Sequence, residues 1–368
     1  MATLILNSLE IRNFRAFHDL KIERLGRVNL IVGKNNVGKT SLLEALQLYA
    51  RRASTAAYIW DIMRNRREMR QSFKEVKDML ATLKYLFYGR KDVLPGLESI
   101  KIGPMNTMNT TAETLSISVR WTVIEYLPDG SPKIRPLERG EDYISDNLVP
   151  RLDIGSGGFG VSYSIDPYSS NTNVRLNTNE IPCVVTSANG LSGQRLTELW
   201  DGIALTDLEN EVLSALQLIA PGVKDLNFVS TPLSGSERIP VVRIADMNEP
   251  LPLYSLGDGM LRTLGIALAL VNAKDGLLLI DEFENGLYYA VQPDLWRFIF
   301  QVARRLNVQV FATTHSWDCI EAFQKATRAD QGDDGLLIRL ESKKGEITAT
   351  LYDKRELGIA AREQIEVR

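Results

Sequence analysis

Cysteine and histidine are scarce in this chain of 368 residues: only Cys183, Cys319, His18 and His315 occur. Two distant cysteines argue against a disulfide framework or a thiolate zinc site and fit reduced thiols in a cytoplasmic protein. Two histidines exclude a multi-histidine metal centre. No apolar run approaches the ~18 residues that span a bilayer, so no membrane partner is expected. The start, Met1 to Leu6, lacks the basic region and cleavage site of a signal peptide. Sustained heptads and internal repeats are also missing, which removes a coiled-coil arm. Nor is there an excess of positive charge: the net charge of −3 does not describe a generic nucleic-acid binder. What is present is ordinary for a soluble globular protein, with 44% apolar and 24% charged residues in a length that suits one large or two ordinary domains.

The charge is unevenly spread. Residues 51–92 hold 11 Lys/Arg against 5 Asp/Glu, with Arg64, Arg66, Arg67 and Arg70 the densest group. Such asymmetry suits DNA, RNA or an acidic partner; a solvated helix face is the alternative reading.

Along the chain, residues 4–32 read as two or three short strands, and 51–88 as helix-rich, without proline. Leu115 to Trp121 alternates with period two, as a half-buried strand does. Pro128-Asp129-Gly130 marks a turn before another β-like stretch. Residues 105–112 and 140–180 read as polar surface loops from their Gly, Ser, Asn and Asp content. Ile181 to Thr186 reads as a buried strand, 194–220 as helical, and Val241 to Ile244 as a strand. From 251 the pattern is loop, helix (259–272), strand (277–281), helix (290–306), strand (308–313) and helix (316–326). This alternation indicates an α/β sheet with mostly parallel strands. A β-hairpin is expected around Lys344-Gly345.

Residues 33–40, Gly33-Lys34-Asn35-Asn36-Val37-Gly38-Lys39-Thr40, form a G-x-x-x-x-G-K-T loop. A buried strand, Val28 to Val32, leads in, and a helix beginning at Ser41 leads out, the order such a loop needs to cradle a di- or triphosphate. Its backbone N–H groups and the helix N-terminus favour an anion. Lys39 is placed for the β- and γ-phosphates, and Thr40 for Mg²⁺. A second strand, Leu277 to Ile280, ends in Asp281-Glu282, at the strand end where a parallel sheet binds ligands. Asp281 suits Mg²⁺, and Glu282 suits a base that takes a proton from water. A third, Val308 to Thr313, runs into Thr314-His315-Ser316, placing His315 one strand from those acids, where it can meet a γ-phosphate. Ser255-Leu256-Gly257-Asp258-Gly259 precedes a helix and is another potential anion site.

Together these features, with Ile11-Arg12-Asn13-Phe14-Arg15, resemble the RecF, SMC and OLD-like branch of ATP-binding-cassette P-loop ATPases, and most of all stand-alone AAA family ATPases related to the ATPase half of OLD nucleases. The resemblance implies an α/β head with a β-rich N-terminal lobe and a helical insertion. It implies ATP and Mg²⁺ as cofactors and a homodimer, or higher homo-oligomer, that sandwiches nucleotide. The nucleotide-binding residues would be Gly33 to Ser41 and Arg15, joined by Ser255, Gly257 and Gly259 facing the γ-phosphate held by the partner's Lys39. Glu282 would be the catalytic base, His315 the γ-phosphate switch, and Asn285 and Gly286 the dimer seam. The signature departs from the usual Leu-Ser-Gly-Gly-Gln, and Tyr288 stands where relatives often have His. Expected divisions are 1–50 (first part of the head), 51–112 (basic helical insertion), 113–250 (β/α lobe and connecting helices) and 251–368 (second lobe). Some 50 residues follow His315, too few for a Toprim nuclease domain. Two functions fit: an ATPase that regulates a separate nuclease- or toxin-like effector, as in antiphage systems, or a RecF-like DNA-binding repair ATPase.

Overall fold

A computed structural model describes residues 4–69, 75–105, 113–137, 148–156, 159–165, 180–230, 238–245, 247–330, 332 and 334–362. Arg70 and most of the loops expected at 105–112 and 140–180 lie outside these residues. In chain order the elements begin with β1 (Leu9–Phe14), β2 (Phe17–Ile22), β3 (Val28–Val32), α1 (Lys39–Arg51), α2 (Thr55–Asn65) and α3 (Val76–Leu83). Next come β4 (Ile100–Gly103), β5 (Leu115–Tyr126), β6 (Pro132–Pro136), β7 (Leu148–Ser156), β8 (Phe159–Ser164) and β9 (Cys183–Thr186). Then follow α4 (Gly193–Asp201), α5 (Leu208–Gln217), β10 (Val223–Ser230), β11 (Arg238–Ile244) and β12 (Leu251–Pro252). The last are α6 (Asp258–Asn272), β13 (Leu277–Ile280), α7 (Gln292–Arg305), β14 (Gln309–Thr313), α8 (Trp317–Ala329), β15 (Gly335–Lys343), β16 (Glu346–Tyr352) and α9 (Lys354–Arg362).

The central sheet has the order β16-β15-β3-β14-β13-β9 and is parallel except for β16. Parallel strands need cover on both faces, and the side chains divide accordingly. Val28, Leu30, Val32, Leu278, Ile280, Val310 and Ala312 join one apolar core with α4 to α8. Ile31, Leu277, Leu279 and Phe311 join the other, with α1, α2 and the N-terminal strands. The expected α/β head with parallel strands is therefore present. A seven-stranded antiparallel sheet, β2-β1-β4-β5-β7-β8 with β6 on β5, forms the β-rich lobe over α1. A third sheet, β10-β11-β12, lies beside α4 and α5.

One expectation is overturned. Part of 140–180 is not loop: β7 and β8 pair with β5 and with each other. Composition hid an alternation in β7, where Pro150, Leu152, Ile154 and Ser156 face inward. The strand β10 and the terminal helix α9 were also not foreseen. Both cysteines are free and buried, and burial pushes the Cys183 thiol up to about 12.

Two polar side chains fasten the edge of the core. Gln309, 1% exposed, accepts from Leu6 N (3.0 Å) and donates to Leu6 O (2.8 Å) and Gly26 O (2.9 Å). Asn29, fully buried, closes the Gly26 turn and donates to Val310 O at 3.1 Å. A buried polar group stripped of its partner costs about 1–3 kcal/mol. Gln309→Leu should therefore destabilise the fold by roughly 3 kcal/mol, since it strands several groups at once; urea denaturation followed by circular dichroism measures it, and an unchanged midpoint would refute the role.

Candidate functional site

Strands β3, β14, β13 and β9 end on the same edge of the sheet because they run parallel, and the expected catalytic residues lie at that edge, Glu282 and His315 on loops and Lys39 at the start of α1. The 33–40 loop is shaped by its two glycines. Gly33 has φ 142°, and a Cβ there would clash with Leu340 O on β15. Gly38 has φ 90° and lies against Phe17 and Ala16 of the β-rich lobe. Lys39 Nζ donates to Gly33 O (2.7 Å) and Lys34 O (3.0 Å), curling over its own loop. Burial lowers its pKa, against the opposing pull of Asp281, Glu282 and Glu284.

The Thr40 hydroxyl lies 3.2 and 3.3 Å from the two Asp281 oxygens. Thr313, at the end of β14, donates through Oγ1 to Asp281 Oδ1 (2.6 Å) and accepts from Glu282 N (2.9 Å). Glu282 has φ 48°, a conformation costly for a residue with a side chain. It is held there by that bond, by Phe283 N donating to Thr313 O, and by Phe283 itself, buried and stacked on Trp296 at 4.0 Å. The carboxylate of Glu282 accepts from Asn285 Nδ2 (2.6 Å) and lies 3.4 Å from His315 Nε2. The His315 backbone N–H donates to Glu284 Oε1 at 2.8 Å.

A cavity of about 560 Å³ opens over this edge, lined by Asn35, Asn36, Lys39, Thr40, Ser41, Glu282 and His315. Arg15 also lines it, its side chain 5% exposed between Glu44 (2.8 Å) and Glu68 (2.9 Å). Val37 instead turns into the core. The signature residues lie elsewhere. Ser255 and Gly257 are exposed, and Asp258 lines a separate cavity of about 380 Å³ with Tyr254, Arg262, Asn285 and Gly286. Among the described residues no group of three or more His, Cys, Asp or Glu can hold a metal. Thr40 and Asp281 thus offer a partial set of hard oxygen ligands, of the kind Mg²⁺ completes with phosphates and water.

Part of the basic cluster is committed within the chain. Arg66 binds Glu44 Oε1 (2.6 Å) and Ser41 Oγ (3.2 Å) and lines the first cavity. Arg64 pairs with Asp61, and Arg51 with Glu180 and the Tyr58 ring.

Two family models match the ends of this site. One described as "AAA ATPase domain" matches residues 4–92; another, described as "AAA domain, putative AbiEii toxin, Type IV TA system", matches 195–318. The chain is 25% identical over 349 residues to the ATP/GTP phosphatase of Helicobacter pylori, a match covering 88% of this chain and 89% of that protein. A short stretch of 43 residues is 49% identical to the DNA double-strand break repair Rad50 ATPase of Archaeoglobus fulgidus, covering 12% of this chain and 5% of that protein. The Smc head domain from Pyrococcus furiosus, solved with the C-terminal domain of ScpA, superposes with a TM-score of 0.50 at 10% identity, over 98% of this chain and 99% of that one. The chain thus resembles AAA-type ATPases in its first and second lobes and has an SMC-like head fold. No helix among its described residues is long and apolar enough to cross a membrane.

Several site residues of this ATPase head escaped the sequence reading. Thr313 stood in a quoted motif but was given no role. Arg262 had a signal: a cation in the apolar run of α6. It is 6% exposed and donates to Ser187 O (2.7 Å), Asp281 O (2.8 Å) and Glu282 O (2.7 Å). Burial lowers its pKa, opposed by Glu284, Asp281 and Glu282. Glu284 and Tyr85 gave no sequence signal. Thr313→Val keeps shape and removes both hydroxyl bonds, so ATP turnover should fall about ten-fold or more, as for other supports of an active-site group. Steady-state phosphate release measures this, and wild-type turnover would show that the Thr313 bonds are not needed.

Proposed function

We propose that this ATPase binds ATP with Mg²⁺ and hydrolyses it to ADP and phosphate as a nucleotide-sandwich dimer, and that the cycle regulates a separate effector, in antiphage defence. The observation that carries the reading is the division of the site. Lys39, Thr40, Glu282 and His315 meet around one cavity, while Asp258, between Gly257 and Gly259, lines another with Asn285 and Gly286. In one copy Ser255, Gly257 and Gly259 do not line the cavity that holds Lys39; a second copy facing it would bring them to the γ-phosphate.

In this mechanism the N–H groups of Gly33 to Ser41 and the Lys39 ammonium hold the phosphates, and Arg15 stands at the cavity wall. Thr40 and, through water, Asp281 would hold Mg²⁺, which offsets phosphate charge. Glu282 accepts a proton from the attacking water, with its carboxylate aimed by Asn285, and His315 reads the γ-phosphate. Residues 51–112 act as an insertion in a head whose second lobe is 251–368. The near full-length likeness to an ATP/GTP phosphatase supports the hydrolysis. The family description that mentions a toxin of a type IV system is in keeping with a two-component defence role. In that role the head works in the cytoplasm beside a nuclease or toxin-like protein. The runner-up, a RecF-like DNA clamp, is weakened because Arg66 and Arg51 are spent on internal partners.

Glu282→Gln should lower phosphate release about a hundred-fold or more, the usual weight of a general base, and should accumulate an ATP-bound dimer. Light scattering with and without ATP checks it; a mass that stays that of one chain would rule the sandwich out. Co-purification with an effector, and phage plaquing with and without the gene pair, test the defence role.

A further inference from the structure

Four residues lining the phosphate-loop cavity come from the segment after α1, whose role the ATPase reading leaves open: Arg66, Glu68, Tyr85 and Arg90. The cavity has a direction. Glu282 and His315 mark the end where a terminal phosphate reacts, and Lys39 and Thr40 lie next to them. The wall contributed by this segment, whose Arg66 reaches Ser41 Oγ, is therefore assigned to the nucleoside end of any triphosphate bound there. That wall holds an aromatic ring and a guanidinium in contact. Arg90 Cζ stands 5.6 Å from the Tyr85 ring centroid. Arg15, by contrast, is spent on Glu44 and Glu68, and Arg66 on Glu44. Among the described residues no carboxylate pairs with the Arg90 side chain.

The wall is also built rigidly. Phe87 pairs with Phe14 at the end of β1, and Arg15 N donates to Leu86 O at 2.7 Å. Leu86 and Phe87 are buried. Gly89 (φ 71°) and Arg90 (φ 53°) are consecutive left-handed residues that turn the chain at this point. For arginine that conformation is uncommon, and such strain persists only where the surroundings impose it.

We propose that Tyr85 and Arg90 form the nucleoside subsite, with a purine base stacked against this pair. The proposal rests on the ATPase reading and extends it to the base. Stacking reads the face of a base and leaves its edge unread. The subsite thus accepts ATP and GTP alike, and contributes nothing to a ligand that has phosphates only.

The test is titration calorimetry on the full chain with three magnesium-loaded ligands: ATP, GTP and inorganic tripolyphosphate. Tyr85→Ala and Arg90→Ala should each weaken ATP and GTP about ten-fold, the order expected of one lost stacking contact, and leave tripolyphosphate unchanged. Tyr85→Phe, which keeps the ring, should bind as wild type and shows that the fold survives at this position. Wild-type ATP affinity in both alanine variants overturns the subsite, as does an equal loss for ATP and tripolyphosphate. A wild-type chain that binds tripolyphosphate as tightly as ATP also overturns it while leaving the phosphate site standing. A wild-type chain that binds none of the three rejects the ATPase reading itself.

Discussion

The buried guanidinium of Arg262 is the constraint on which the rest of the site depends. It lies in α6 and binds three carbonyls, one at the end of β9 and two on the loop that carries Asp281 and Glu282. A cation taken out of water is costly unless fully hydrogen-bonded. Here three carbonyls on the two Nη groups and the nearby acids offset much of that cost, although Nε has no hydrogen-bond partner, so the geometry is tightly specified. The consequence is mechanical: the helix whose start bears Gly257 and Gly259 cannot shift without pulling on the backbone of Glu282. The proposed contact with a second copy and the proposed base of the reaction are thereby joined inside one chain.

Around that junction the site is assembled from groups that fix one another. Thr313 spans Asp281 and Glu282, Asn285 steers the Glu282 carboxylate, and Glu284 holds the backbone that carries His315. The left-handed Glu282 is strained, and the stack of Phe283 on Trp296 ties that strain to the apolar core. Removing any one tie leaves the others in place, so such changes should act on turnover before they act on folding.

Much of this was legible in the sequence. Gly33 to Thr40 and the apolar run before Asp281-Glu282 announce their positions because backbone geometry and strand burial admit few alternatives there. The parallel sheet followed from the strand–helix alternation after 251. The misses have a common cause. Long polar stretches around 140–180 concealed β7, whose inward residues include proline and serine as well as leucine and isoleucine. Tyr85, Glu284 and Thr313 matter only through the neighbours that folding gives them, and a single chain of letters does not record neighbours. Arg64, Arg66 and Arg67 illustrate the converse. Read as a run they look like a patch for a polyanion, yet Arg66 is turned inward toward Glu44 and Ser41.

The position of β3 in its sheet bears on how the protein is made. This strand leads into the phosphate loop, and its two neighbours are β14 and β15. Val28 pairs with Val310 on one side and Gly335 on the other, partners separated from it by most of the chain. During synthesis the N-terminal segment emerges long before either neighbour exists, and contacts of such high sequence separation form slowly. The hairpin of β15 and β16 also supplies the Leu340 carbonyl against which Gly33 is moulded. The 33–40 loop thus cannot take its final shape until residues 335–343 have left the ribosome, so a segment translated early is moulded late.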